Sequence, residues 1–521
     1  MLATLLSATL QGLVGRVVRV EVDVAPGLPG MTIVGLPDAA LSEARERVRG
    51  ALRNAGFVHP PRRITVNLAP AEVRKTGASL DLAIAMGILL GSEQVRATGG
   101  RWALVGELSL GGEVRTVPGL LPMVAALVRR GVRRIVVPED GLAEARLAAT
   151  DQLIGVADLA AAVDALRTRR SRPRSSAPSR VELGGGTETG PATASAMPPT
   201  VVPDLAEVRG QLEARRALEI ALAGAHALLL IGPPGSGKTL LARTVPALLP
   251  DLEDEAALAA TVVASAAGAA PVTALVRRPP FRSPHHTMSY AAMVGGGPRV
   301  SPGELTMADH GTLFLDELPE FGRDVLEAMR QPLEDGRVAI ARAGRAETFP
   351  ARVTLIAAMN PCPCGWFGSE HRACRCPRKV AERYVRRISG PLRDRIDLWV
   401  TMDRVPPMAL VGHATPESSA VVAARIAAAR RRQGARATGR VNGQLSGRAL
   451  RAACALDRIT ERRAADLADL DGMTARGTER LLRVARTIAD LEGTDRVLAA
   501  HLDEAARFRT PARSLADQLA S

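Results

Sequence analysis

Aromatic side chains are scarce, with seven Phe, three Trp and two Tyr in 521 residues. Alongside abundant Ala and Arg, that scarcity reads as coding bias and not as a functional signature. No uninterrupted apolar run is long enough to span a bilayer, so a helical membrane protein is not expected. The opening stretch, MLATLLSATLQGLVGRVVRV, has no basic residue ahead of its apolar part and no A-x-A cleavage site behind it. It therefore reads as a strand, not a signal peptide. A cytoplasmic protein is expected, in which thiols stay reduced. Cysteine is rare as well: there are five, and four of them lie in AAMNPCPCGWFGSEHRACRC, residues 357–376. In a reducing compartment such clustering favours a metal over disulfides.

What is present in excess is positive charge, a formal +14 at pH 7. That balance suits an anionic partner, nucleic acid being the commonest, although an Arg-rich solvated surface would give the same sum. The length calls for roughly two to four domains. Residues 167–203, rich in Pro, Gly, Ser and Thr after a block of arginines, read as a flexible linker. Ahead of it, residues 1–166 alternate strand and helix patterns, with SLDLAIAMGILLG as a buried helix and RRIVVPED as a late strand. Residues 204–405 read as a second α/β domain, and 406–521 as a helical, Ala- and Arg-rich lid.

Within the second domain GPPGSGKT (Gly232, Pro233, Pro234, Gly235, Ser236, Gly237, Lys238, Thr239) fits the phosphate-loop pattern. It sits between an apolar strand and a helix, the context that gives the motif meaning. Glycines let backbone N–H groups wrap phosphates, Lys238 suits the β/γ oxygens, and Thr239 suits Mg²⁺. TLFLDE follows, an apolar strand ending in Asp316 and Glu317. One carboxylate would serve Mg²⁺ and the other would polarise the attacking water. A strand can end in two acids by chance, but the phosphate loop upstream weighs against chance. VTLIAAMN then places Asn360 at the end of a third apolar strand, beside the γ-phosphate. This order reads as an AAA+ ATPase, a class in which a neighbouring subunit supplies an arginine.

The resemblance becomes specific in FRSPHHTMSYAAMVGGG, PGELTMADHGTLFLDELPEF, MRQPLEDGRV, AAMNPCPCG and ISGPLRDRID, and in the early GLPGMTIVGLPDAALSEARERVRGAL. These resemble the magnesium-chelatase-related AAA+ proteins of the YifB/ComM type, over nearly the whole chain apart from the linker. The resemblance implies a homo-hexameric ring ATPase acting on single-stranded or branched DNA; ComM-type members drive branch migration during natural transformation. It implies an insert in the second helix, around FRSPHHTMSYAAMVGGGPRVSPGE, and a hairpin, RVAIARAGRAETFPARVTL. The hairpin tip, Arg342 to Arg345, would offer guanidinium groups to phosphates without reading bases, although a wet tip is often charged in any case. By motif match Arg395 corresponds to the trans-acting arginine finger and Arg476 to the nucleotide-sensing lid arginine, with Arg393 and Arg480 as the respective alternatives.

The cysteines form C-x-C-x9-C-x-C, with His371 between the pairs. Cys362, Cys364, Cys374 and Cys376 suit a structural zinc site, with His371 as a substitute ligand, although C-x2-C is the more usual spacing. Free thiols or a redox pair are the competing readings. Cys454 is expected in the lid core. The first domain resembles the proteolytic domain of Lon-type proteases, with Ser79 at the nucleophile position. Leu121 stands where that family's lysine base would be, so protease activity is not expected. Two other functions stay open: a magnesium-chelatase-like remodeller acting on a protein partner, and an ATP-gated DNA-binding scaffold.

Overall fold

The computed structural model describes residues 1–36, 38–73, 75, 77–148, 153–168, 202–297, 300–342, 345–369, 372–406, 408, 416–436, 440–470 and 472–509. Most of the linker expected at 167–203 lies outside them. The fold is mixed α/β with a parallel sheet and a helical C-terminal region. By packing the chain divides into two units, residues 1–198 with 258–276, and residues 199–257 with 277–521. Residues 258–276 thus group with the first unit, whereas the sequence expectation placed them within 204–405.

The first unit is built on a seven-stranded sheet. Its longest strands, Leu2–Gln11 and Val14–Ala25, pair antiparallel. Val14–Ala25 alternates buried and exposed positions, as a strand with one face on a core must. The helix Asp81–Gly91 is buried on nearly every side, which explains its lack of an amphipathic pattern. Asp81 is fully buried there and is held by Arg47 at 2.7 Å. Ser79 donates its hydroxyl to the Ala8 carbonyl at 2.9 Å, and Leu121 is buried apolar packing.

The second unit carries five parallel strands in the order Phe281–Arg282, Thr312–Leu315, Thr354–Met359, Leu228–Ile231, Leu398–Thr401. The three middle strands are buried throughout and apolar except for Thr312 and Thr354 at their starts, the mark of a parallel sheet covered on both faces. The expected hairpin forms from Arg337–Arg342 and Arg345–Pro350, with Arg342 opposite Arg345 at its last rung. Its tip, Ala343–Gly344, lies outside the described residues. The stretch expected as an insert starts on the sheet's edge strand Phe281–Arg282 and continues as the short helix Tyr290–Val294. Among the described residues no helix is long and apolar enough to cross a membrane.

The helical region is centred on Ala475–Leu491, whose buried Arg486 has no exposed surface. Its guanidinium reaches Asp490 at 2.9 Å and the Asp495 carbonyl at 2.7 Å. Asp490 also accepts from Asn442 at 2.7 Å and pairs with Arg436. Asp490→Ala would leave the Arg486 charge buried without its acid, a loss of about 3–5 kcal/mol. Calorimetry should show a lower unfolding temperature for this variant. An unchanged transition would mean that the network is not holding the helical region together.

Candidate nucleotide site, paired arginines and cysteine cluster

The loop Gly232–Thr239 leaves the C-terminal end of Leu228–Ile231 and enters the helix Lys238–Arg243. Gly235 and Gly237 have φ of +79° and +91°, left-handed values at which a side chain would be strained. Lys238 is only 9% exposed. Its ammonium donates to the carbonyls of Gly232 at 2.7 Å and Pro233 at 2.9 Å, and to Asn360 Oδ1 at 3.3 Å. Desolvation brings Lys238 down to about 8, against the opposing pull of Asp316 and Glu317.

Strand register places the acids. Leu315 lies opposite Ala357 and Ile231 opposite Met359. Asp316, one residue beyond its strand, thus stands beside the loop, where its Oδ2 accepts from Thr239 Oγ1 at 2.7 Å. A hydroxyl and a carboxylate oxygen at this spacing are a suitable pair of oxygen ligands for Mg²⁺. Glu317 has a left-handed backbone, φ +54°, which costs a non-glycine residue about 1–3 kcal/mol. Its N–H donates to Asp316 Oδ1 at 3.0 Å, fixing the acid next door. Its own carboxylate is half exposed, with His286 Nδ1 3.5 Å away. Asn360 also meets a second element: its backbone N–H faces the phenolic oxygen of Tyr384, on the helix Arg378–Val385.

Two of the expected arginines form a second group. Arg395 pairs with Glu334 and donates to the Pro391 carbonyl at 2.7 Å. Arg476 approaches the same Glu334 at 3.9 Å. Both line a cavity of about 400 Å³ that Asp394, Glu479, Arg480 and Arg483 also border. Among the described residues, the ion pairs of Arg395 and Arg476 go to Glu334 and not to the phosphate-loop acids. Arg480 is largely buried, whereas the Arg476 side chain is 73% exposed.

The four clustered cysteines converge: their sulfurs all lie within 4.8 Å of one another. Cys362 is 3.4 Å from Cys364 and 3.6 Å from Cys374, and Cys364 is 3.6 Å from Cys374. A tetrahedral tetrathiolate with metal–sulfur bonds of about 2.3 Å has sulfur–sulfur edges of about 3.8 Å, so the donor set fits zinc. Backbone N–H groups of Phe367 and Cys376 point at Cys362 and Cys374 sulfurs, at 3.3 and 3.4 Å. Burial alone would raise the Cys364 thiol, but the N–H groups of Arg375 and Trp366 help to bring it to about 6. His371 lies outside the described residues. Cys454 is buried in the helical region, as expected.

The sequence missed His286, Tyr384 and Glu334. The paired histidines in FRSPHHTM were a signal for the first. The other two act across separations of 24 and 61 residues that no local spacing reveals.

Three family models match: magnesium chelatase subunit ChlI over residues 204–410, subunit ChlI of Mg-chelatase over 20–141, and the ChlI C-terminal model over 416–509. The protein YifB of Escherichia coli is 41% identical over 500 residues, covering 96% of this chain and 95% of YifB. Competence protein ComM of Haemophilus influenzae is 38% identical over 528 residues, covering 99% of this chain and 98% of ComM. A partial likeness, 28% over 134 residues, extends to the DNA replication licensing factor mcm2 of Schizosaccharomyces pombe, covering 26% of this chain and 14% of mcm2.

Phosphates placed against Lys238 favour its charged form, so binding of a nucleoside triphosphate should take up protons near pH 8. Affinity should hold near pH 7 and fall as pH rises through about 8, where free Lys238 loses its proton. Calorimetric titration in buffers of different ionisation enthalpy would show the uptake. Affinity indifferent to pH across this range would contradict the assignment.

Proposed function

The chain belongs to the YifB/ComM family of magnesium-chelatase-related AAA+ proteins, and from that premise we propose that it is an Mg-ATP-driven motor acting on DNA. The observation that carries the ATPase reading is the meeting of Lys238, Thr239, Asp316, Glu317 and Asn360 at the ends of three adjacent strands. In this reading Gly232 to Thr239 cradle the phosphate chain, with Lys238 on its β and γ oxygens. Thr239 and Asp316 would hold Mg²⁺, which when bound would neutralise charge on those oxygens. Glu317 accepts a proton from the water that attacks the γ-phosphorus, and ADP departs with the bridging oxygen. Asn360 orients that water, and His286 steadies the Glu317 carboxylate until water takes its place.

In a ring of six, Arg395 completes the site of a neighbouring copy as its arginine finger, and Arg476 serves as the nucleotide-sensing arginine of the lid. Their grouping on Glu334, apart from the chain's own phosphate-loop acids, supports a role towards another subunit. DNA as partner is supported by the formal +14 charge, by the arginines that close the hairpin's last rung, and by relatives named for competence and DNA replication. The finer role is a branch-migration helicase in natural transformation or recombination, working in the cytoplasm without protease activity. The chelatase family models favour a second reading, remodelling of a protein partner.

Steady-state ATP hydrolysis measured without DNA and with single-stranded, duplex and four-way-junction DNA separates the two. Marked stimulation by single-stranded or branched DNA, weakening with salt, is expected. Hydrolysis unmoved by every DNA form in protein that binds ATP would turn the reading to a protein partner. Glu317→Gln should lower kcat about 10²-fold or more, and Arg395→Ala about 10³-fold. Mixing the two dead variants should restore some activity, because some interfaces then combine an intact Glu317 with an intact Arg395. No recovery on mixing, with subunit exchange verified, would rule out the trans role.

A further inference from the structure

The cysteine cluster is wired to the nucleotide site at four points. Cys362 stands two residues beyond Asn360. Between Cys364 and the second cysteine pair the chain turns at Gly365, φ +81°, whose N–H donates to the Cys362 carbonyl at 2.9 Å. A Cβ there would lie 2.5 Å from Cδ and 2.8 Å from Cγ of Pro234, and 3.7 Å from Cγ of Asn360. The loop from the cysteine cluster therefore presses backbone to ring on the phosphate loop itself. At the far end, Cys376 leads through Pro377 into the helix Arg378–Val385, whose Tyr384 returns to the Asn360 backbone. The same helix's following turn carries Arg387, which reaches the Pro319 carbonyl at 3.0 Å and Glu320 at 2.9 Å, just past Asp316 and Glu317.

We propose that one zinc ion, held by Cys362, Cys364, Cys374 and Cys376, clamps this loop so that Gly365 supports Pro234 and Tyr384 holds Asn360 in place. The metal is then a positioning device for nucleotide sensing and takes no part in the chemistry. A loop leaving a strand end is ordinarily among the more mobile parts of a fold. Here it must hold one asparagine amide and one phosphate-loop proline steady, and it has few apolar residues with which to do so. Four metal–sulfur bonds supply the rigidity that packing does not. Both arms of the clamp bear on the same residue, Asn360, one through two covalent links to Cys362 and one through Tyr384. Loosening either sulfur pair would free Asn360 relative to Lys238, whose ammonium it now meets at 3.3 Å.

The coupling rests on the nucleotide reading above, but the metal does not, and the test keeps them apart. Elemental analysis of the full-length protein, purified without chelator, should give one zinc per chain and no iron. Reversible release with a thiol reagent, followed with a zinc-sensitive dye, should then lower kcat about tenfold or more. It should also loosen binding of a fluorescent ATP analogue, and reduction with added zinc should restore both. Cys374→Ser should abolish zinc retention. Gly365→Ala keeps all four thiols, so it should keep its zinc and its fold by circular dichroism yet bind nucleotide more weakly, because its Cβ displaces Pro234. Absence of zinc, or iron in its place, overturns the proposal. So does release of zinc that leaves kcat and nucleotide affinity unchanged. Full zinc in a protein that binds no nucleotide at all would instead refute the ATPase reading while leaving the metal site standing.

Discussion

The register of three parallel strands is the constraint on which the nucleotide site depends. Ile231 faces Met359 and Leu315 faces Ala357, and the residues that follow each strand end inherit that alignment. A slip of one residue would move a strand end by about 3.3 Å. That is more than the whole 2.7 Å separating Thr239 Oγ1 from Asp316 Oδ2. The strands are fully buried on both faces, so no alternation of polar and apolar positions pins the register. It is set instead by what lies above and below the sheet.

Below the sheet, buried polar groups tie the strand beginnings to the helical region. His226, just before Leu228–Ile231, contacts Thr487 at 2.7 Å and Asp397 at 3.5 Å. Asp397, just before Leu398–Thr401, accepts from the Ala227 N–H at 3.2 Å. Thr487 in turn accepts from Asn442, which bonds the Asp490 that holds Arg486. A buried network of this kind is costly unless nearly every member is satisfied, and it has few arrangements that satisfy it. The helical region therefore fixes where the central strands begin, and through them where the phosphate loop and Asn360 end up.

Much of this was legible because the chemistry is local in the chain. The glycines and lysine of the phosphate loop, the paired acids after an apolar run, and the asparagine after another are each read within eight residues. The sheet then follows from their order. What stayed hidden acts at long range: Tyr384 on Asn360, Gly365 on Pro234, and Glu334 between two arginines. No spacing rule reports a contact between residues more than a hundred positions apart, as Gly365 and Pro234 are. The left-handed backbone of Glu317 was hidden for a different reason. An acid gives no sequence sign that it will adopt a conformation usually left to glycine.

The arginines show how burial bears on a choice that the sequence made by motif match alone. Arg476 and Arg480 lie one helical turn apart on the same helix and share the surroundings of one cavity. Arg480 is largely buried, near Asp397 and Arg509, and burial disfavours its charge. Arg476, on the first turn of the helix, keeps most of its surface in solvent and shares Glu334 with Arg395. An exposed ion pair of this kind is weak and can be exchanged for a phosphate at little cost. Arg480, mostly withdrawn from solvent, has far less surface to offer a neighbour. Of the two, Arg476 is the one its own fold can spare.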